Sequence, residues 1–357
     1  MLLCSSRPVL RAAVLTVVIA SVLVALQVYS QRAVYGEGET YVTTYSHADD
    51  EITVLLGRGD GQAYAQLARD PLLRAPEAFV GGEGELVYRA QRPVASYATW
   101  AAALGDPDRV KVATVIVTIL GCGLLGGAVA ELLRRRDVNP DLAVWSLLIP
   151  GVFASFRFLM PGALALGLGA AGLVAWEREE RRPAIAALCF AGAVLTRETL
   201  LAIPVGLAIA EVLNRRRRPS SWLALPLAAY VGWWVIVRLL TGLSLFDGGR
   251  SGSRTSLPGL GLLDAMGEWT LGWEWFLMVV TVAATVAAVR LRPRDPLVWV
   301  SLTSLGVAMV MSIDVWGRWF NWSRAVTPAH LALVLVLVSL DRRKAEALDG
   351  PELASVV

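Results

Sequence analysis

Apolar runs separated by tight arginine clusters fill most of this chain of 357 residues. The runs are built from Leu, Val, Ala, Ile and Gly, and each ends where charged residues gather. Hydrophobic residues make up 55% of the sequence, and the mean hydropathy is +0.55. These values are too high for a soluble domain with so many separate apolar runs. The sequence therefore predicts an all-α polytopic membrane protein.

About ten apolar segments are the predicted transmembrane helices. They are residues 12–29, 110–130, 141–156, 161–176, 184–196, 199–213, 222–240, 269–289, 297–313 and 325–340. Alternation along the chain places every tight basic cluster on the same face as Arg7 and Arg11. The clusters are residues 134–136, 215–218, 290–294 and 342–344. Because positive loops face the cytoplasm, we predict a multi-pass protein of the cell membrane with both termini cytoplasmic.

The domain prediction is one transmembrane domain, residues 1–345, followed by a short cytoplasmic tail, residues 346–357. Residues 31–108 form the only long polar region, and we predict that they are an extracytoplasmic loop that carries the catalytic residues. The first apolar run is long for a signal peptide and lacks a small-x-small cleavage site before Gln31. It is therefore interpreted as an uncleaved first span.

Asp60 lies between glycines in this loop, within the run Gly57 to Gln62. Flanking glycines allow a sharp turn and the close approach of a bulky substrate. An exposed carboxylate in such a turn can act as a general base on an acceptor hydroxyl, or bind a divalent metal ion. An ordinary Asp–Gly turn without chemistry is the alternative interpretation.

Three arginines are candidate phosphate ligands. Arg89 and Arg92 are three residues apart, so on a helical turn they share a face. A guanidinium fork suits a phosphate better than an ammonium does, although contact with lipid headgroups explains the same residues. Arg197 precedes Glu198 between two apolar runs, where the two residues form either part of a cavity wall or a structural ion pair.

The sequences DGQAYAQLARDP at residues 60–71, VYRAQRP at 87–93 and AVLTRETLL at 193–201 resemble a family of bacterial GT-C-type integral-membrane glycosyltransferases. Members transfer a sugar from a polyprenyl-phosphate donor outside the cytoplasmic membrane, in making cell-surface glycopolymers. The positions that carry the resemblance are Asp60, Gly61, Gln62, Tyr64, Leu67, Ala68, Asp70, Pro71, Tyr88, Arg89 and Arg92. The order of features is similar along most of the chain.

The resemblance implies a GT-C-like fold and a membrane glycosyltransferase for hexosyl or pentosyl transfer, with Asp60 as the catalytic residue. The implied substrate-binding residues are Gln62, Tyr64, Asp70, Tyr88, Arg89, Arg92, Arg197 and Glu198. The implied partners are a polyprenyl-phosphate-linked sugar, a glycan or lipid acceptor, and membrane lipids. Two features depart from the family: Ala63 replaces an aromatic residue, and residues 157–161 lack an acidic one. A transporter or flippase of lipid-linked sugar or polymer, and a non-catalytic relative, remain alternatives.

The sequence predicts no nucleotide cofactor, because it contains no Walker motif. Two GxGxxG runs, residues 121–126 and 167–172, lie inside predicted spans with no strand before them, so we interpret them as helix packing faces. A divalent metal ion on Asp60, with His47, Asp49 and Asp50 as further ligands, is an open alternative. The net charge of +3 gives no sign of a nucleic-acid partner.

Overall fold

The computed structural model describes residues 6–36, 51–57, 59–79, 82–177, 182–214, 220–243, 255–270 and 272–339. Over these ranges the chain is helical and contains no strand, which confirms the predicted all-α class. The α-helices are α1 (Arg7–Gly36), α2 (Glu51–Gly57), α3 (Gly61–Arg69), α4 (Gly82–Ala90), α5 (Pro93–Ala102), α6 (Val110–Arg135), α7 (Pro150–Arg157), α8 (Gly162–Trp176), α9 (Pro183–Thr196), α10 (Ala202–Leu213), α11 (Leu225–Thr241), α12 (Leu260–Glu268), α13 (Gly272–Leu291), α14 (Pro296–Met309), α15 (Ile313–Trp316), α16 (Trp319–Ala325) and α17 (Thr327–Val338). Short 3-10 helices lie at Pro76–Ala78, Pro107–Arg109, Pro140–Leu148, Glu198–Leu201 and Ser221–Ala224.

Within the described ranges, four helical segments are long and apolar enough to cross a membrane. They are Arg7–Gln31, Pro107–Arg135, Ser221–Thr241 and Gly272–Leu291, and a fifth results if α16 and α17, bent by 66° at their junction, form one span. Helices α8, α9 and α14 are apolar but shorter. At about 1.5 Å per residue they fall short of a hydrocarbon core of about 30 Å. The helices support a membrane protein, and their lengths give four or five of the ten predicted spans.

The core is a stack of helices in which α6 packs against α1 and α8, and α8 packs against α9. The two GxGxxG runs lie in α6 and α8 and provide the close contact between these helices. A Cβ atom added to Gly121 would lie 2.8 Å from the backbone nitrogen of Leu164, and one added to Gly167 would lie 3.0 Å from that of Leu125. The interpretation of these runs as helix packing faces is confirmed.

We expect Gly121→Ala to destabilise the protein by about 1–3 kcal/mol, because the added methyl group forces the backbones of α6 and α8 apart. Gly232→Ala in α11 is the matched control, since an added Cβ there meets nothing within 4 Å. This control should be neutral or stabilising by about 0.5–1 kcal/mol, as alanine is the better helix former. Denaturant titration of the purified protein in detergent measures both values. Equal effects of the two substitutions would contradict the proposed close contact.

The described part of the long polar region is mostly helical. Helix α1 continues to Gly36, and residues 51–102 contain helices α2 to α5. Helix α11 anchors the turn between α4 and α5: Trp233 Nε1 donates to the carbonyl of Ala90 at 2.7 Å, and Tyr230 donates its hydroxyl to Gln91 Oε1 at 2.8 Å. These bonds fix the segment that carries Tyr88, Arg89 and Arg92.

Candidate functional site

A cavity of about 390 Å³ lies where the turn before α3, the start of α5 and the connections after α9 and α14 meet. Its lining is mostly charged or polar. The lining residues are Asp60, Tyr88, Arg92, Arg197, Glu198, Thr199, Met311, Asp314, Val315, Asn321, Arg324 and Ala325. Polar groups gathered from segments more than 250 residues apart in the sequence make this cavity the candidate site.

The carboxylate of Asp60 lies between two guanidinium groups. Arg89 Nη2 donates to Oδ1 at 2.7 Å, and Arg324 Nη2 donates to Oδ2 at 3.4 Å. Arg89 is itself buried and also donates from Nε to Glu85 Oε1 at 2.5 Å. Asp60 is the residue before α3, but its side chain does not cap that helix. The carboxylate is therefore oriented by the arginines and not by its own backbone.

Burial and charge act in opposite directions on the pKa of Asp60. Burial raises the pKa. The charges of Arg89, Arg324 and Arg92, together with the hydrogen bond from Arg89, lower it by more than burial raises it. The result is a pKa well below the usual range. Asp60 is ionised at neutral pH and is a weak base while both arginines hold it. A hydroxyl that displaced one of these arginines would meet a stronger base, since an opposite charge favours the ionised carboxylate.

The glycines beside Asp60 pack against the turn after α7. A Cβ added to Gly59 would lie 2.7 Å from Phe158 Cβ, and one added to Gly61 would lie 2.6 Å from the carbonyl oxygen of Phe158. The sequence predicts that these glycines leave room for a substrate. The structure instead shows that they let the Asp60 turn lie close to the side chain and the backbone of Phe158.

Arg92 and Glu198 form a bidentate ion pair on the cavity wall. Nε and Nη2 of Arg92 each donate to one oxygen of Glu198 at 2.6 Å. The remaining donors of Arg92 reach the hydroxyl of Tyr64 at 2.9 Å and that of Tyr88 at 2.8 Å. Burial disfavours the ionised Glu198, but Arg92 and then Arg197 outweigh it and lower the pKa of Glu198 to about 2. The pair is fully charged at neutral pH.

Arg89 and Arg92 do not share a helical face, and this prediction is wrong. Helix α4 ends at Ala90, and Arg92 precedes α5 with φ −117° and ψ 64°. The two guanidinium groups point to different carboxylates. They remain neighbours through the ring of Tyr88, whose centroid lies 4.9 Å from Cζ of Arg89 and 4.4 Å from Cζ of Arg92.

Arg197 is the cation of the cavity whose charge is least compensated. Its side chain makes no ion pair or hydrogen bond with any residue that the structure describes, because Glu198 is bound to Arg92 instead. Burial, and the nearby charges of Arg324 and Arg92, lower the pKa of Arg197 to about 9. The group is still a cation at neutral pH. An anion in the cavity would stabilise it.

Two of the predicted site residues lie away from this cavity. Asp70 accepts a hydrogen bond from the backbone nitrogen of Ala75 at 2.8 Å and lines a separate surface hollow. Gln62 is half-buried, and its Oε1 has no hydrogen-bond partner in the described part of the chain. Tyr64 is buried behind the cavity wall, where it holds Arg92. The structure thus brings together Asp60, Tyr64, Tyr88, Arg89, Arg92, Arg197 and Glu198.

Sequence reasoning missed Arg324 as a site residue. It belongs to α16, is buried and binds Asp60 from the far end of the chain. Asp314 also lines the cavity, and its exposed carboxylate has no ion pair or hydrogen bond among the described residues. An arginine next to the apolar segment 325–340 was the available signal, because an ionisable residue at such a position is a functional candidate.

No group of three or more His, Cys, Asp or Glu side chains in the described ranges could hold a metal ion. His47, Asp49 and Asp50 lie outside those ranges. Comparison of the chain with protein-family models, with curated proteins and with solved structures finds no match. The geometry of the cavity and the residues of the sequence are therefore the grounds for a functional proposal.

Proposed function

We propose that this protein is a membrane glycosyltransferase that moves a hexosyl or pentosyl unit from a polyprenyl-phosphate donor to an extracytoplasmic glycan or lipid acceptor. The observation that carries the proposal is the shared cavity, in which Asp60 and Glu198 face Arg92, Arg197 and Arg324. Guanidinium groups are suited to a phosphate, and a carboxylate is suited to a hydroxyl. The chemistry of both substrates is therefore matched within one site.

In the proposed reaction, the oxygen of the acceptor hydroxyl attacks the anomeric carbon of the donor sugar. The bond between that carbon and the phosphate oxygen breaks, and the polyprenyl phosphate leaves with its electron pair. Arg197 and Arg324 stabilise the charge that develops on the phosphate, and Asp60 takes the proton of the acceptor. Attack on the face opposite the phosphate inverts the anomeric configuration. Asp314 is available to orient the acceptor by a hydrogen bond.

The proposed topology has about ten crossing segments in a GT-C-like arrangement. Each predicted segment contains helix. Pro140–Leu148 would cross together with α7, and Glu198–Leu201 together with α10, whereas α8, α9 and α14 would cross as short helices. Residues 134–136, 215–218 and 290–294 would then lie in the cytoplasm together with both termini, and the cavity would open on the outer side. A cavity on that side would be open to a donor whose lipid tail stays in the membrane.

Purified protein in proteoliposomes, supplied with a panel of radiolabelled polyprenyl-phosphate sugars and a membrane extract as acceptor, tests the proposal. Transfer of label from the lipid to a new product supports a glycosyltransferase. Movement of the labelled lipid across the bilayer without bond transfer supports a transporter or flippase, an alternative that the uncompensated Arg197 also suits. Neither transfer nor movement supports a non-catalytic relative.

We expect Arg197→Gln to weaken donor binding by about tenfold or more, because a charged hydrogen bond to the phosphate is lost. The same change should leave the free protein equally stable or more stable, since it removes a cation that Arg92 and Arg324 repel. The difference in donor affinity should shrink as the pH rises through about 9, where Arg197 of the wild type loses its charge.

Donor affinity by filter binding and thermal unfolding in detergent provide the two measurements for Arg197→Gln. Arg157→Gln is the control, because Arg157 is exposed and its guanidinium lies 5.7 Å from the Phe158 ring, outside the cavity lining. Loss of stability without loss of affinity would show that Arg197 serves the fold and not the donor.

A further inference from the structure

A second, larger cavity of about 820 Å³ lies at the other end of α14. Helix α14 begins at Pro296, which lines this cavity, and the chain reaches Met311 of the Asp60 cavity just after the helix ends. The lining residues are Arg136, Trp176, Glu177, Leu207, Leu291, Arg292, Pro293, Arg294, Asp295 and Pro296. The cavity thus has a charged part and an apolar part, and the reaction proposed above uses neither.

In the charged part, Arg292 and Arg294 have N–H donors that no described residue accepts. Arg136 is neutralised by Glu177, to which its Nη2 donates at 2.7 Å, and Asp295 accepts from the backbone nitrogen of Leu297. Among the described residues, the Arg292 side chain donates to the carbonyl of Ser339 at 3.3 Å and to no other group, and the exposed Arg294 side chain has no partner. Three arginines and two acidic residues among the described lining residues give this wall a net positive charge.

The loop that presents these arginines is preorganised. It has the sequence Arg292-Pro293-Arg294-Asp295-Pro296, and each proline fixes its own φ and restricts the residue before it. Two further contacts hold the loop: Asn214 Nδ2 donates to the carbonyl of Arg294 at 3.4 Å, and the nitrogen of Asp295 donates to the carbonyl of Arg292 at 2.9 Å. A ligand that binds here does not have to order the loop first.

The surroundings favour an anionic occupant with an apolar body. Asn214 and Ser339 touch the loop, and the sequence runs from them into the basic clusters 215–218 and 342–344. Trp176 and Leu207 are buried in the apolar wall. Leu291 is exposed at the end of α13, and Val282 and Val286 are exposed further along that helix. A phosphate can therefore lie on the arginines while an acyl chain follows apolar side chains into the bilayer.

We propose that this cavity binds an anionic phospholipid, with the headgroup phosphate on Arg292 and Arg294 and the glycerol end against Trp176 and Leu207. Basic pockets at the ends of membrane helices are suited to such headgroups. The proposal rests on the residues that line this cavity and is independent of the chemistry at Asp60. Bound lipid would tie α13 to α14 and α10, which approach one another at this cavity.

The test compares the thermal unfolding of the full chain in detergent after addition of phosphatidylglycerol, phosphatidylcholine or inorganic phosphate. Phosphatidylglycerol should raise the unfolding temperature most, since a ligand that binds only the native state stabilises it. Arg292→Gln with Arg294→Gln should weaken the apparent affinity for phosphatidylglycerol by roughly fivefold per arginine, and 1 M salt should have a similar effect.

Arg69→Gln with Arg74→Gln is the matched control, because both arginines are exposed outside this cavity and their loss changes the net charge equally. It should keep the full response to phosphatidylglycerol. Arg294→Gln alone removes no side-chain hydrogen bond or ion pair with a described residue, and it covers the case in which the double variant does not fold. An equal response to both lipids, an equal response to inorganic phosphate, or an unchanged response of the arginine variants would each overturn the lipid site.

Discussion

Asp60→Asn should reduce sugar transfer by at least about a hundredfold in proteoliposomes or in cells. Asparagine has the shape of aspartate but cannot accept the acceptor proton, and general bases contribute about 10²–10⁴-fold to such reactions. The substitution also leaves Arg89 and Arg324 without the carboxylate that they share. Label transferred from a polyprenyl-phosphate sugar, normalised to the amount of folded protein in the membrane, measures the effect.

Asp108→Asn provides the control for this experiment. Asp108 is exposed in the 3-10 helix before α6 and does not line the cavity, so its substitution should leave transfer unchanged. Normal sugar incorporation by the Asp60 variant at normal expression would remove Asp60 from the mechanism. A loss of activity in both variants would point to a general effect of loop charge.

Glu198→Gln should destabilise the protein by about 3 kcal/mol, at the lower end of the range for broken buried ion pairs because a third of its side chain is exposed. It leaves Arg92 without its carboxylate partner and removes a nearby negative charge that favours the charged form of Arg197. Arg92→Met should cost less, since Glu198 can then pair with Arg197. The double variant should be more stable than the sum of the two single effects predicts, by about 0.5–3 kcal/mol. Denaturant titration of the four proteins gives this coupling energy.

Glu83→Gln is the reference substitution for the Glu198 experiment, because Glu83 is exposed in the first turn of α4. It should change the stability very little. If Glu198→Gln were no worse than this reference, or if Arg92→Met were the more damaging single change, then the bidentate pair would not be the interaction that holds α5 to the connection after α9.

Much of the site could be predicted because its residues carry their own signal. Asp60, Arg92, Arg197 and Glu198 are charged groups between apolar segments, where a polar side chain is costly unless it serves a purpose. The helix packing faces at Gly121 and Gly167 were equally readable, since small residues repeated along a membrane helix allow close approach. The apolar runs and the composition were sufficient to predict the all-α class.

The pairing of these charges could not be predicted, because it depends on how distant segments meet. Glu198 is adjacent to Arg197 in the sequence but binds Arg92, which lies 106 residues away. Arg324 reaches Asp60 across 264 residues. The spacing of Arg89 and Arg92 suggested one helical face, but α4 ends between them. Helix ends and tertiary contacts determine which charged side chains pair, and local sequence predicts both poorly.

The shortness of α14 has a consequence for the membrane itself. Its 14 residues rise only about 21 Å, whereas the hydrocarbon layer of a bilayer measures about 30 Å. In the proposed topology α14 crosses the bilayer, so the polar cavities at its two ends would lie below the level of the lipid esters. Water and headgroups would then have to reach down to them. Acyl-chain length would then control access to the protein: thinner bilayers would ease entry to both cavities, and thicker ones would close them.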